Sequence, residues 1–119
     1  MRTQKKGHMK FQAPRRLIEA NLQAELYSRL KELNIPSYLE YPFRDFVCNR
    51  NRRADLAIYK NDKIVCLIEV KSRRYPCRPN WNGKQLKAYR STGVFVIVCD
   101  NFNIQDSVSK IKKLYEEFI

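Results

Sequence analysis

Two apolar runs separated by a short polar turn constrain this chain most. Ala54-Asp55-Leu56-Ala57-Ile58-Tyr59 and Ile64-Val65-Cys66-Leu67-Ile68-Glu69-Val70-Lys71 flank Lys60-Asn61-Asp62. Runs of this length and β-branched content, bounded by Asn and Asp, predict a hairpin over 53–59 and 63–71. Long apolar stretches in both strands place at least the second in the middle of a sheet covered on both faces. Charged groups at the edges of such strands are costly to desolvate. Asp55, Glu69 and Lys71 occupy those edges.

The rest of the chain supplies helices for that sheet. Pro14 suits the first turn of a helix, and Leu22, Leu26, Leu30 and Leu33 recur at helical spacing, so 14–33 is predicted helical. Asn34-Ile35-Pro36-Ser37 ends it. Tyr38 to Cys48 is an aromatic-rich strand with Pro42 near an edge. Asn49-Arg50-Asn51-Arg52 is a polar connection. Beyond the hairpin, 72–83 is a basic loop, and a second helix runs from about Asn82 to Ser91. Val94 to Cys99 is a buried strand, and Gln105 to Ile119 is a terminal helix with Val108, Ile111, Leu114, Tyr115 and Phe118 on its apolar face. The expected class is α/β, in the order α-β-β-β-α-β-α, with a mixed central sheet flanked by helices. Residues 1–13 read as a basic arm and 14–119 as one domain.

Composition narrows the partners. A formal charge of +12 on 119 residues calls for an anionic partner, with nucleic acid first and an anionic membrane surface second. No run approaches the roughly 20 apolar residues of a membrane span. The first ten residues have no apolar core of the kind a secretion signal needs. These features lead us to expect a cytoplasmic or host-cell intracellular protein that is not secreted and not membrane-bound. Cys48, Cys66, Cys77 and Cys99 form no Cys-x-x-Cys pair, and the single histidine is distant, so no zinc site is expected. Cys66 and Cys99 read as buried thiols. A Cys48–Cys77 disulfide stays open as an alternative to a reduced chain.

Alternate residues of a strand share a face, so Glu69 and Lys71 point the same way and Val70 points opposite. Asp55 approaches Glu69 if the two strands pair antiparallel. Two carboxylates of this kind suit Mg²⁺, with Mn²⁺ as substitute, because magnesium takes oxygen ligands and keeps several waters. A cation there with an ammonium beside it suits hydrolysis of a phosphodiester. The blander reading is a solvated strand edge, with Asp55 as a turn cap or a partner of Arg52 or Arg53.

The Asp55…Glu69-Val70-Lys71 pattern resembles the active site of the PD-(D/E)XK nuclease superfamily, the restriction-endonuclease-like fold. Arg53-Ala54-Asp55 stands where that pattern usually carries Pro-Asp. The family core has the order α-β-β-β-α-β, so the resemblance spans about 14–99, with the last helix as an addition. It implies metal ligation by Asp55, Glu69 and the Val70 carbonyl, with Lys71 positioning or activating water. Gln85-Leu-Lys-Ala-Tyr89 is similar to a Gln-x-x-x-Tyr element of the exonuclease and resolvase-like branches. The analogy puts Gln85 beside the site and Tyr89 towards the nucleic acid. Family members often carry a further glutamate on the first helix. Glu19 falls within the arc of about 80° spanned by Leu22, Leu26, Leu30 and Leu33, whereas Glu25 lies outside it and suits a pair with Arg29. The resemblance therefore implies Glu19 as a further metal or metal-water ligand that completes the acidic cluster of Asp55 and Glu69. A helix-start charge is its blander reading.

Arg52, Arg53, Arg73, Arg74, Arg78, Lys87, Tyr89 and Arg90 are the expected nucleic-acid contacts, with Lys5, Lys6, Lys10, Arg15, Arg16 and Arg50 as further basic candidates. Trp81 either stacks on a base or packs its loop onto the second helix. The expected function is a Mg²⁺-dependent endonuclease, structure-selective, nicking or resolvase-like, acting on DNA ahead of RNA. A homodimer is one route to duplex cleavage, through the terminal helix or the Tyr38–Phe46 strand. The alternative is a non-catalytic nucleic-acid-binding module on the same fold.

Overall fold

The structure, a computed structural model, describes residues 14–119; the basic arm 1–13, with Lys5, Lys6 and Lys10, lies outside the described residues. Helix α1 (Arg15–Glu32) leads into β1 (Ser37–Asp45), β2 (Arg50–Lys60) and β3 (Lys63–Lys71). Helix α2 (Lys84–Arg90), β4 (Phe95–Asp100) and α3 (Ile104–Glu117) complete the chain. This is the α-β-β-β-α-β-α order expected of an α/β chain. The sheet is open and mixed, in the order β1-β2-β3-β4. The first two neighbouring pairs are antiparallel, and β3 and β4 are parallel. A parallel neighbour cannot follow through a tight turn, so α2 makes the crossover.

Local chemistry explains the element ends. Pro14 stands just outside α1, where its carbonyl accepts from the Leu17 and Ile18 amides at 3.0 and 3.2 Å. At the far end Asn34 takes φ 59°, the Ile35 amide donates to Leu30 O at 3.0 Å, and the Asn34 amide donates to Lys31 O at 3.0 Å. This is a Schellman cap with Asn in the place usually held by Gly. Ile35 and Leu30 are buried in one core beneath it. Asn61 and Asp62, at φ 53° and 64°, form the two-residue turn between β2 and β3. Left-handed φ at both positions matches the right-handed twist of the flanking strands.

Several boundaries differ from the sequence reading. Arg50, Asn51 and Arg52 belong to β2, not to a connection, because β1 and β2 stay paired to Asp45↔Arg50. Only Phe46–Asn49 joins them. Asp45 holds that end together: it has no accessible surface, and its carboxylate accepts from Arg52 Nε and from the Val47 and Cys48 amides. Burial alone would raise its pKa. The Arg52 bond and the two amides outweigh burial and hold the carboxyl below its ordinary value. Helix α2 begins at Lys84 and α3 ends at Glu117, each shorter than the periodicity suggests. Leu33 is 41% exposed, since it caps α1 after the stripe has turned away from the sheet.

The sheet separates two cores. On one face α1 and α3 bring Leu26, Leu30, Val108 and Ile111 onto Leu56, Ile58, Ile68 and Cys99. On the other, Tyr89 of α2 covers Ala54, Ala57 and Leu67 and meets Phe43 edge-on at 5.1 Å. β3 lies between β2 and β4 and is buried from Val65 to Val70. No described helix is long and apolar enough to cross a membrane. Truncating a fully buried leucine costs about 2–5 kcal/mol, while an exposed one costs little. Leu30→Ala should therefore lower the denaturant midpoint by an amount equivalent to about 3 kcal/mol, and Leu33→Ala by less than about 1 kcal/mol. Equilibrium urea unfolding of both variants checks the contrast.

Candidate functional site

The sheet comes apart at one place, and the acidic residues gather there. Between β1 and β2 the pairing runs Leu39↔Leu56 and then Tyr41↔Ala54, passing over Glu40 and Asp55. Between β2 and β3 it stops at Leu56↔Ile68, one step short of Asp55 and Glu69. Strand alternation also fails here. Ala54 and Leu56 are two residues apart, yet they join cores on opposite faces.

Side chains take over the orphaned backbone of Asp55. Its amide donates to the Tyr89 hydroxyl at 3.2 Å, and its carbonyl accepts from Gln23 Nε2 at 2.8 Å. Its own carboxylate crosses the gap, with Oδ2 accepting from the Val70 amide at 2.7 Å. These bonds satisfy buried backbone groups that the ladder leaves open. They also fix where the Asp55 carboxylate stands.

Glu69 has no accessible surface, and among the described residues neither carboxylate oxygen receives a hydrogen bond. Lys71 Nζ lies 2.9 Å from Glu69 Oε2, but off the direction a hydrogen bond needs. Lys71 Nζ donates instead to Gln85 Oε1 at 2.8 Å. The shared face expected for Glu69 and Lys71 is present, as is Gln85 beside them. Glu19 is half-buried, and its Oε2 accepts from the Ser72 amide at 2.8 Å, just past the end of β3. Glu25 is exposed and pairs with Arg29 at 2.7 Å.

Sequence reasoning missed Glu40. It faces Asp55 across the skipped pair, at φ 54°, and Gln23 Nε2 donates to its Oε2 at 2.9 Å. Gln23 thus joins Glu40 to the Asp55 carbonyl. Nothing in Tyr38-Leu39-Glu40-Tyr41 marks that carboxylate; only the register with β2 does. The cluster shows in the acidity of Asp55, whose pKa is pushed up to about 7. Burial is the first cause, and the charges of Glu69, Glu40 and Glu19 add to it. The Val70 amide opposes them.

No three His, Cys, Asp or Glu side chains among the described residues stand close enough to enclose a metal by themselves. The arrangement suits a cation that keeps most of its waters and takes one or two carboxylates, as magnesium does. Asp55 and Glu69 are the two that fit. Glu69 is the more deeply buried of the two, and the Lys71 ammonium at 2.9 Å offsets only part of the cost of burying its charge.

Several expected contacts need correction. Tyr89 is 1% exposed, so it does not face nucleic acid; it fills the second core and holds the Asp55 amide. Its hydroxyl pKa is raised by burial, then by the Glu69 and Asp55 charges, so it stays protonated. Arg52 is tied to Asp45, where the pair anchors the β1–β2 turn. Arg53, Arg74, Arg78, Lys87 and Arg90 are exposed. Arg73 is half-buried, with Nε 3.4 Å from Asp100 Oδ2. Beside Lys71, a cavity of about 230 Å³ is lined by Arg15, Ser72, Arg73, Arg74 and Tyr75. Trp81 packs against α2: Arg90 lies 5.9 Å over its ring and donates to its carbonyl. All four cysteines are free. Burial pushes the Cys66 and Cys99 thiols up to about 12 and about 11, which suits inert core residues.

Comparison with family models, with curated proteins and with solved structures finds no match.

The raised acidity constant of Asp55 has a stability consequence. A carboxyl whose folded pKa lies above its unfolded value of 3.8 favours the fold at low pH. That contribution is complete below about 3.8 and is lost as pH rises through about 7. Asp55→Asn keeps an acceptor for Val70 and removes the titration. In metal-free buffer this variant should match the parent's denaturant midpoint at pH 4 and exceed it at pH 7.5. A pH series of urea midpoints checks the sign.

Proposed function

We propose that this chain is a divalent-metal-dependent nuclease of the PD-(D/E)XK type on a restriction-endonuclease-like core, cutting phosphodiester bonds in DNA ahead of RNA. The observation that carries the reading is the Glu69 carboxylate. It is buried in the sheet, with the Lys71 ammonium 2.9 Å from one oxygen and a second carboxylate beside it on the neighbouring strand. A carboxylate this deeply buried needs positive charge close by, and a cation shared with Asp55 would add to what Lys71 supplies. The element order and the positions of Gln85 and Glu19 support the same reading.

Asp55, Glu69 and the Val70 carbonyl would hold Mg²⁺ or Mn²⁺. When bound, the cation acidifies a water and offsets the charge that builds on the phosphoryl oxygens. The remaining work falls to the chain. Gln85 fixes the Lys71 ammonium, which orients the attacking water or the scissile phosphate. Glu19 holds the Ser72 amide and with it the exit of β3, so Lys71 keeps its place. Arg15, Arg73 and Arg74 line the adjoining cavity, where a neighbouring phosphate fits. One such site cuts one strand, so duplex cleavage takes a dimer or two successive nicks. The reading places the protein inside the cell, where its thiols stay reduced.

Duplex, nicked, branched and single-stranded substrates, each with Mg²⁺, Mn²⁺ or EDTA, test the proposal. Cleavage should need the metal. Asp55→Ala and Lys71→Ala should each lower the rate by about a hundredfold or more while far-UV dichroism and DNA affinity in EDTA hold. Full activity in either variant would sink the assignment. Binding without cleavage on every substrate would favour the non-catalytic module.

A further inference from the structure

The turn between β1 and β2 combines features that solvent alone does not explain. Phe46 and Val47, at its tip, are 68% and 58% exposed. Two adjacent apolar side chains at that exposure are unfavourable in water. The turn beneath them is nevertheless held firmly. The Val47 and Cys48 amides donate to buried Asp45, and the Phe46 amide donates to Ser91 Oγ at the end of α2. Arg44 donates to Asn49 O and Oδ1 at 2.9 and 2.6 Å and to Asn51 Oδ1 at 3.2 Å. Asn49 closes the turn at φ 56°.

The surroundings of the tip are cationic. Arg44, Arg50 and Arg53 are exposed along the ribbon behind it. A cavity of about 550 Å³ there is lined by Pro42, Phe43, Arg44, Asn51, Arg52 and Arg53. Apolar wedges backed by arginines suit a polyanion whose interior is a stack of apolar rings. Such wedges enter between bases where stacking is weakest.

We propose that the Phe46–Val47 tip is a rigid wedge that inserts at an unstacked step of a nucleic-acid duplex, such as a nick or a branch point. Arg50 and Arg53 hold the flanking phosphates, and Arg44, which braces Asn49 and Asn51, adds its charge behind them. This deepens the nuclease reading by naming its substrate class; the cut rests on that reading, and the wedge does not. The ribbon also sets a distance. Five residues of β2 separate Arg50 from Asp55, about 17 Å at about 3.3 Å per residue. At about 3.4 Å per nucleotide, and with the ribbon lying along the duplex, the cut falls about five steps from the phosphate that Arg50 holds.

The test uses the full chain and its Phe46→Ala/Val47→Ala double variant. Both positions are exposed, so thermal melting should be unchanged. Each protein is titrated in EDTA onto intact and nicked duplexes carrying 2-aminopurine at the nick. The parent should raise 2-aminopurine emission and prefer the nicked duplex. The double variant should lose the emission change and about tenfold of that preference. Its affinity for intact duplex should change less than twofold, since the arginines remain. A variant that keeps the emission change and the preference overturns the wedge. So does a variant that loses a dimer in sedimentation velocity with its preference intact, because the tip would then pack a second copy. Wedging without metal-dependent cleavage upholds this proposal and sinks the nuclease reading. Cleavage with no effect of the double substitution does the reverse. A parent that binds neither duplex overturns both.

Discussion

The hydrogen bond from the Val70 amide to the Asp55 carboxylate is the contact on which the candidate site depends. β2 and β3 leave each other one step before Asp55 and Glu69 would pair. A continued ladder would place two carboxyl-bearing residues side by side with ordinary backbone bonds between them. The ladder stops instead, and a side chain spans the gap. The opening is kept from collapsing or fraying by Gln23 from α1 and Tyr89 from α2, one to each orphaned backbone group of Asp55. Helices on both faces of the sheet thus serve one residue. The helices act both as cover for a hydrophobic core and as braces for a gap in it.

The parts legible in the sequence were those governed by local periodicity. The β2–β3 hairpin, the buried β3, the leucine stripe of α1 and the apolar face of α3 follow from repeats of two or of three to four residues. The shared face of Glu69 and Lys71 follows from strand alternation alone, and the exposure of Glu25 from helical geometry. What stayed hidden depends on register between distant segments. Glu40 enters the cluster because β1 meets β2 with one pair skipped, and no residue near Glu40 encodes that. Tyr89 shares a helix with Gln85, but its hydroxyl turns into the sheet because Asp55 has an unpaired amide there. Arg52 looked like a free cation because its partner Asp45 lies across a turn whose ends the sequence does not mark. The identity of the fold beyond an α/β mixed sheet is a proposal carried by the site.

Backbone conformation adds a second signal at the same place. Five described residues other than glycine have φ between 53° and 64°. Four are Asn or Asp, which tolerate that region through their short polar side chains. Glu40 is the exception, and it lies directly across from Asp55. An unusual conformation of this sort costs on the order of 1–3 kcal/mol and persists where surrounding contacts enforce it. Gln23, bonded to both Glu40 and the Asp55 carbonyl, is such a contact.

The parallel pairing of β3 with β4 carries a consequence for how the site is enclosed. The β1–β2–β3 meander is joined by short loops and by itself brings Asp55 near Glu69. The cover comes from farther along the chain: β4 supplies Val98 as the neighbour of Glu69 after the α2 crossover. The Glu19–Ser72 bond, between residues 53 apart, adds α1 to that cover. The two carboxylates are thus brought together by segments adjacent in sequence and closed over by distant ones, so the pair and its enclosure can be altered separately.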